Sequence, residues 1–150
     1  MRPTFLLWEV VMDWRGYAGL SALFAGITAI LAKIGVQDIP SNVATFIRTV
    51  VILVFAGSIV VATGEWSQIR GLSNRTWLFL CLSGVATGAS WLCYFAALKS
   101  GKVQEVAPID KLSFVLAMVL AFVFLGEKPR PTQFAGAALI ACGVLLTLKK

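Results

Sequence analysis

Residues 103–125 read VQEVAPIDKLSFVLAMVLAFVFL. From Leu112 onward the run carries no charge. As a helix rising ~1.5 Å per residue, the whole stretch is long enough to cross the ~30 Å hydrocarbon core of a bilayer. Near its start stand Pro108, Asp110 and Lys111. A charge at the centre of a spanning helix costs ~2.5–3.5 kcal/mol on insertion scales, so charges kept inside such a run are functional candidates. The composition agrees with a membrane setting. Hydrophobic residues make up 59% of the chain, charged residues 13%, and the mean hydropathy is +0.87. A soluble domain runs at about 45–50% apolar and about 25% charged.

Four more apolar runs flank this one. Downstream, Gly126-Glu127-Lys128-Pro129-Arg130-Pro131 forms a stiff turn, and a fifth span covers about 132–148 before Lys149-Lys150 at the interface. Upstream, the turn Lys99-Ser100-Gly101-Lys102 follows a third span over about 75–98, with Asn74 as its expected N-cap and Gly101 placed for a helix C-terminus. A second span over about 41–63 takes Ser41 or Asn42 as N-cap and is closed by Gly64. The first covers about 17–36 and is ended by Gly35 and the Asp38/Pro40 pair. These runs lack period-2 alternation and exceed the length of barrel strands, so helices are the spanning solution. The expected fold is an all-α integral membrane protein with five transmembrane helices in one domain, 17–150. Residues 1–16 read as a leader. Glu9 breaks its apolar part, which makes it a poor signal peptide. It is either an interfacial segment with Trp8 and Trp14 at the headgroups, or the product of a start upstream of a natural one at Met12.

Several function classes drop out. The net charge is +6, but most basic residues lie between the apolar runs or at their ends, with no basic patch interleaved with aromatics, so nucleic acid is not an expected partner. The chain has no histidine, which excludes a His-ligated metal site and a His-based catalytic triad. Cys81, Cys93 and Cys142 sit inside apolar runs without CxxC spacing and read as small apolar packing residues. No paired carboxylates or activated nucleophile pattern appears, so neither an enzyme nor a cofactor or metal is expected.

The loops are almost evenly charged. Arg2, Arg15, Arg70, Arg75, Lys128 and Arg130 fall on the N-terminal side, six in all, against Lys99, Lys102, Lys149 and Lys150, four, or five with Lys33. The positive-inside rule gives the N-terminus only a slight preference for the cytoplasm. The choice stays open between one fixed orientation and insertion both ways up, which would let two copies form an inverted pair.

Lys33, Arg48, Asp110 and Lys111 lie in the same half of the bilayer, with Arg48 and Asp110 both ~10 Å deep at ~1.5 Å per residue. Two readings stand. In one, Lys33 snorkels and Arg48 pairs with Asp110 as a structural ion pair. In the other, the four line a polar cavity whose net charge of +2 calls for a bound anion, such as a substrate carboxylate or phosphate, or water. The neighbouring cations lower a carboxylate's pKa, which argues against Asp110 as a proton carrier. Pro108 is either a start-of-helix proline or a kink that frees backbone groups into a cavity. Trp91 and Tyr94 share a stripe with Thr87 and Leu98, as cavity lining or as interfacial anchors. Gly84 and Gly88 form a small-xxx-small stripe expected to pack closely. Ala22, Gly26 and Ala29 lead along one face to Lys33, and Gly136 and Gly143 read as packing. Glu127, at the end of a helix whose dipole it opposes, is expected to be structural. A salt bridge to Lys128, Arg130 or another loop would hold it, or a place near the next helix N-terminus.

The stretch VAPIDKLSFVLAMVLAFVFLGEKPRPTQFAGAALIACGVLL resembles the EamA domain of the drug/metabolite transporter superfamily. Ala-Pro heads one span, Leu-Gly-Glu ends it, and a glycine-rich final span follows. SALFAGITAILAKIGV and the Arg48 span are similar to that domain's first two helices, so the resemblance covers about 17–148. Family members usually carry two such domains related as inverted repeats, and this chain carries one. The resemblance implies solute transport across an inner membrane, often export of small metabolites, with a second subunit supplying the missing half. A homodimeric exporter, its substrate anionic or zwitterionic, is the leading expectation. A non-transporting scaffold or regulatory subunit is the alternative.

Overall fold

The computed structural model describes residues 13–149. The expectations for Trp8, Glu9 and the Met12 start lie outside them. The described residues form helices α1 (Trp14–Gly35), α2 (Ser41–Ala62), α3 (Asn74–Ser100), α4 (Val103–Asp110), α5 (Leu112–Leu120) and α6 (Pro131–Leu148). A 3-10 segment, Glu65–Gly71, follows α2, and a π turn, Ala121–Leu125, continues α5. Taken with its break, 103–125 is one span, and five helices are long and apolar enough to cross a membrane. Large apolar side chains stay exposed along all five, as a lipid-facing surface requires. The three cysteines, expected as small apolar packing residues, are exposed on the single chain.

The chain divides into two compact units, Met1–Lys99 and Ser100–Lys150. In the first, α1 starts at Trp14, inside what reads as leader. The Asp13 carbonyl receives the Gly16 N–H at 2.8 Å, and the Arg15 guanidinium lies 5.3 Å from the Trp14 ring centroid. Helix α2 starts directly after Pro40, whose carbonyl accepts the Ala44 N–H at 3.1 Å. Ser41 is therefore the first helical residue and not a side-chain cap. Its carbonyl accepts the Thr45 hydroxyl at 3.0 Å, and that of Thr45 accepts the Thr49 hydroxyl at 2.8 Å. Gly64 ends this span in the left-handed region, φ 73°, and the 3-10 segment folds back on α2. Ser73, not Asn74, caps α3: its hydroxyl oxygen accepts the Thr76 N–H at 3.1 Å. Serine and asparagine are near-equal caps, so sequence alone does not choose between neighbours.

In the second unit, α4 and α5 both pack on α6. Pro108 is the sixth residue of α4, too far in to be a start-of-helix proline. It has no N–H to donate four residues back, and its ring crowds the carbonyl of Gln104. The chain then tightens: Lys111 N–H bonds to Pro108 O at 3.0 Å and Phe114 N–H to Lys111 O at 3.1 Å, both three-residue steps. The single helix expected over 103–125 is thus broken at Lys111. At its far end Gly126, φ 70°, turns the chain, and the Gly126 and Glu127 N–H groups both reach Ala121 O, the latter at 3.3 Å. Glu127 makes no ion pair among the described residues, so the expected salt bridge is absent and its contribution is this backbone bond. Gln133 Oε1 accepts the Arg130 N–H at 2.7 Å and fixes the start of α6, with Pro131 as its first residue. A valine at Gly126 must take a left-handed conformation that costs an L residue roughly 1–2 kcal/mol. Gly126→Val is expected to lose about that stability, read as a lower unfolding midpoint in detergent.

Candidate functional site

Three chain segments of the first unit meet where α1 ends, α2 begins and α3 ends. Val36, Ala44, Phe95 and Leu98 are buried there, in a chain otherwise covered by exposed apolar side chains. A helix leaves its last four carbonyls without intrahelical partners and gathers partial negative charge at that end. Lys33, in the last turn of α1, donates from Nζ to the Leu98 carbonyl near the end of α3, at 2.6 Å. Lys99 donates from Nζ to the Ile39 carbonyl in the α1–α2 connection, at 2.8 Å. Each lysine of the pair thus ties one segment to another through a backbone oxygen.

Arg48 is held differently. Its guanidinium carbon lies 4.3 Å from the Trp91 ring centroid and 5.5 Å from that of Phe95. Trp91 and Phe95 are one turn apart on α3, so they present two π faces to one cation. Such contacts contribute ~0.5–1 kcal/mol when exposed and ~2 or more when desolvated. Among the described residues no carboxylate, hydroxyl or carbonyl accepts a hydrogen bond from Arg48. Its five N–H donors remain unused by the described residues. The side chain is half-buried and forms part of a groove of about 330 Å³, otherwise walled by apolar side chains including Leu31, Ile39, Ile47 and Phe95. Thr28 brings the only hydroxyl that the described residues give the groove. Its size is at the low end of ligand pockets, ~300–1,000 Å³.

The structure brings Lys33, Arg48 and Trp91 to one end of the first unit, with Tyr94 half-buried one turn from Trp91. Phe95 is the member the sequence reading missed. It lies one helical turn beyond Trp91, so the i, i+4 spacing that builds the aromatic pair was available. Asp110 and Lys111 belong to the second unit, where their side chains approach each other at 3.5 Å at the break between α4 and α5. Adjacent residues on a regular helix point apart, and the break is what lets these two meet. Lys111 is exposed and Asp110 half-buried, so the pair contributes little stability. Gly84 and Gly88 have no neighbouring atom within 4 Å of where a Cβ would stand. The close approach expected of that stripe is not made among the described residues.

Comparison with known proteins matches the chain over residues 14–149 to the EamA-like transporter family. It is 54% identical over 134 residues to an uncharacterized transporter in the cobO 3' region of Sinorhizobium sp, covering 89% of this chain and 95% of that protein. It is 29% identical over 133 residues to the uncharacterized transporter YxxF of Bacillus subtilis, covering 88% of this chain but 41% of that protein. It is 27% identical over 96 residues to Protein RarD of Salmonella typhi, covering 63% of this chain and 33% of that protein. The chain thus spans nearly all of one relative and less than half of the other two. No solved structure matches it. Five apolar helices in series and a family match over nearly all of them lead to one conclusion: the chain is a multi-pass membrane protein and belongs to the EamA-like transporter family.

Proposed function

We propose that this transporter is a secondary exporter of small anionic or zwitterionic metabolites, working as a homodimer in the inner membrane by alternating access. The observation that carries the reading is Arg48: a cation kept inside a span, steadied by two rings, and given no acceptor by the described residues. A guanidinium so placed is poised to bind an anionic group that arrives and leaves. Trp91 and Tyr94 serve beside it as lining. Dimerisation is supported by the longer relatives, in which the matched part is less than half of the protein. In the proposed homodimer a second copy faces the first, and the nearly even loop charge suits an antiparallel pair. The open Gly84/Gly88 stripe offers one place where another helix could approach closely.

The transport reading is tested by counterflow in proteoliposomes loaded with a metabolite extract. Solute-dependent exchange is expected, and its absence in correctly inserted protein would end the proposal in favour of a scaffold. Reporter fusions at the C-terminus test the assembly: signal on both sides of the membrane is expected, and a single orientation rules out the antiparallel pair. Water access to the groove is tested with Thr28→Cys, after the exposed Cys81, Cys93 and Cys142 are replaced by serine. A membrane-impermeant maleimide is expected to label Thr28→Cys, and substrate to slow the labelling.

A further inference from the structure

We infer that the groove beside Arg48 selects a monocarboxylate with an apolar body and discriminates against the amino acid of the same shape. This deepens the proposed transport reading and rests on it. The carboxylate would sit on the guanidinium as a bidentate pair, the geometry that an arginine fork matches best. The body would lie along Leu31, Ile39 and Ile47.

The case against an ammonium comes from counting acceptors. Among the described residues no side-chain carboxylate lines the groove; Asp38, next in sequence to Ile39, is not among its walls. Two backbone carbonyls at this end already have ammonium partners from the protein itself. Leu98 O receives Lys33 at 2.6 Å, and Ile39 O receives Lys99 at 2.8 Å. The lysines therefore occupy two oxygens on which a substrate ammonium could settle, and with Arg48 they place three cations at this end. Thr28 offers one neutral hydroxyl. A zwitterion bound by its carboxylate would hold its ammonium near other cations and among apolar walls, an unfavourable setting for an unpaired charge.

The test uses three probes of one carbon skeleton: isocaproate, leucine, which adds the ammonium, and isoamylamine, which lacks the carboxylate. Equilibrium dialysis of the full chain in detergent reads binding, and counterflow in proteoliposomes reads movement. Isocaproate is expected to bind at least about tenfold tighter than leucine, isoamylamine not to compete, and Arg48→Gln to lose the isocaproate affinity. The three-probe comparison is made on the unmodified protein, so it stands even where Arg48→Gln folds poorly. Leucine binding as tightly as isocaproate overturns the inference and leaves the transport reading intact. Isocaproate binding without counterflow overturns the transport reading and leaves the anion site intact. Phospholipid that copurifies with the chain and is not displaced by isocaproate would identify the anion as a lipid headgroup and overturn the assignment to a free solute.

Discussion

Arg48→Ala is expected to abolish transport while leaving the protein at least as stable as before. The two halves of this result have separate causes. Hydrogen bonds to charged groups contribute ~1.5–3 kcal/mol each, so losing a bidentate pair weakens binding by about 3–5 kcal/mol, roughly a hundredfold to several thousandfold. Stability moves the other way. Among the described residues Arg48 gains its contacts with Trp91 and Phe95, ~0.5–2 kcal/mol at this degree of burial, and an electrostatic attraction to Tyr94. Holding a cation inside a span costs ~2.5–3.5 kcal/mol on insertion scales. Removing it relieves more than it loses, so the thermal midpoint in detergent should hold or rise. Arg48→Lys keeps the charge but loses the planar fork and much of the ring stacking, and should retain a few per cent of activity. Full transport by Arg48→Ala would remove this residue from the site, and a collapse of stability would mean that Arg48 has a structural partner.

The sequence shows the five spans because each is a long apolar run, and lipid tolerates little else. It also shows which charges are out of place, since insertion cost does not depend on the final fold. Partners are a different matter. Nothing in the pattern pairs Lys33 with Leu98 or Lys99 with Ile39, because a backbone carbonyl has no residue identity, and any helix end offers several. Depth matches Arg48 with Asp110, while the contacts seen inside each unit are rings for Arg48 and Lys111 for Asp110. Depth follows from residue count, whereas lateral position depends on how helices are rotated and packed. The break at Lys111 was half legible. Pro108 announces a disturbance, but whether the helix recovers before, at or after it depends on what the next turns pack against. The stripe of Gly84 and Gly88 fits the same limit: the spacing marks a face where backbones can approach, without saying which helix comes.

Lys33→Met is expected to show the opposite signature to Arg48→Ala: lower stability first, with any loss of transport following from it. Methionine keeps most of the aliphatic stem and its packing but removes the ammonium. The Leu98 carbonyl, on a fully buried residue at the end of α3, then loses its charged donor. An acceptor left unpaired in such surroundings costs about 1–3 kcal/mol. The favourable placement of a cation at a helix C-terminus, worth ~0.3–1 kcal/mol, is lost with it. The end of α1 and its connection to α2 should loosen, visible as faster amide hydrogen exchange over residues 35–39. Lys99→Met should do less alone, because its ammonium is exposed and its bond to Ile39 O competes with water. Combined with Lys33→Met it should exceed the sum of the two, since each tie holds the same end of α1 near the same end of α3. Lys33→Arg restores a donor of similar reach and should recover most of the loss. The decisive comparison sets Lys33 beside Arg48: among the described residues one cation has a hydrogen-bond acceptor and the other has none. If Lys33→Met left stability and exchange unchanged and abolished binding of the anion, Lys33 would be a substrate ligand, and the bond to Leu98 would not be what keeps a lysine at this position.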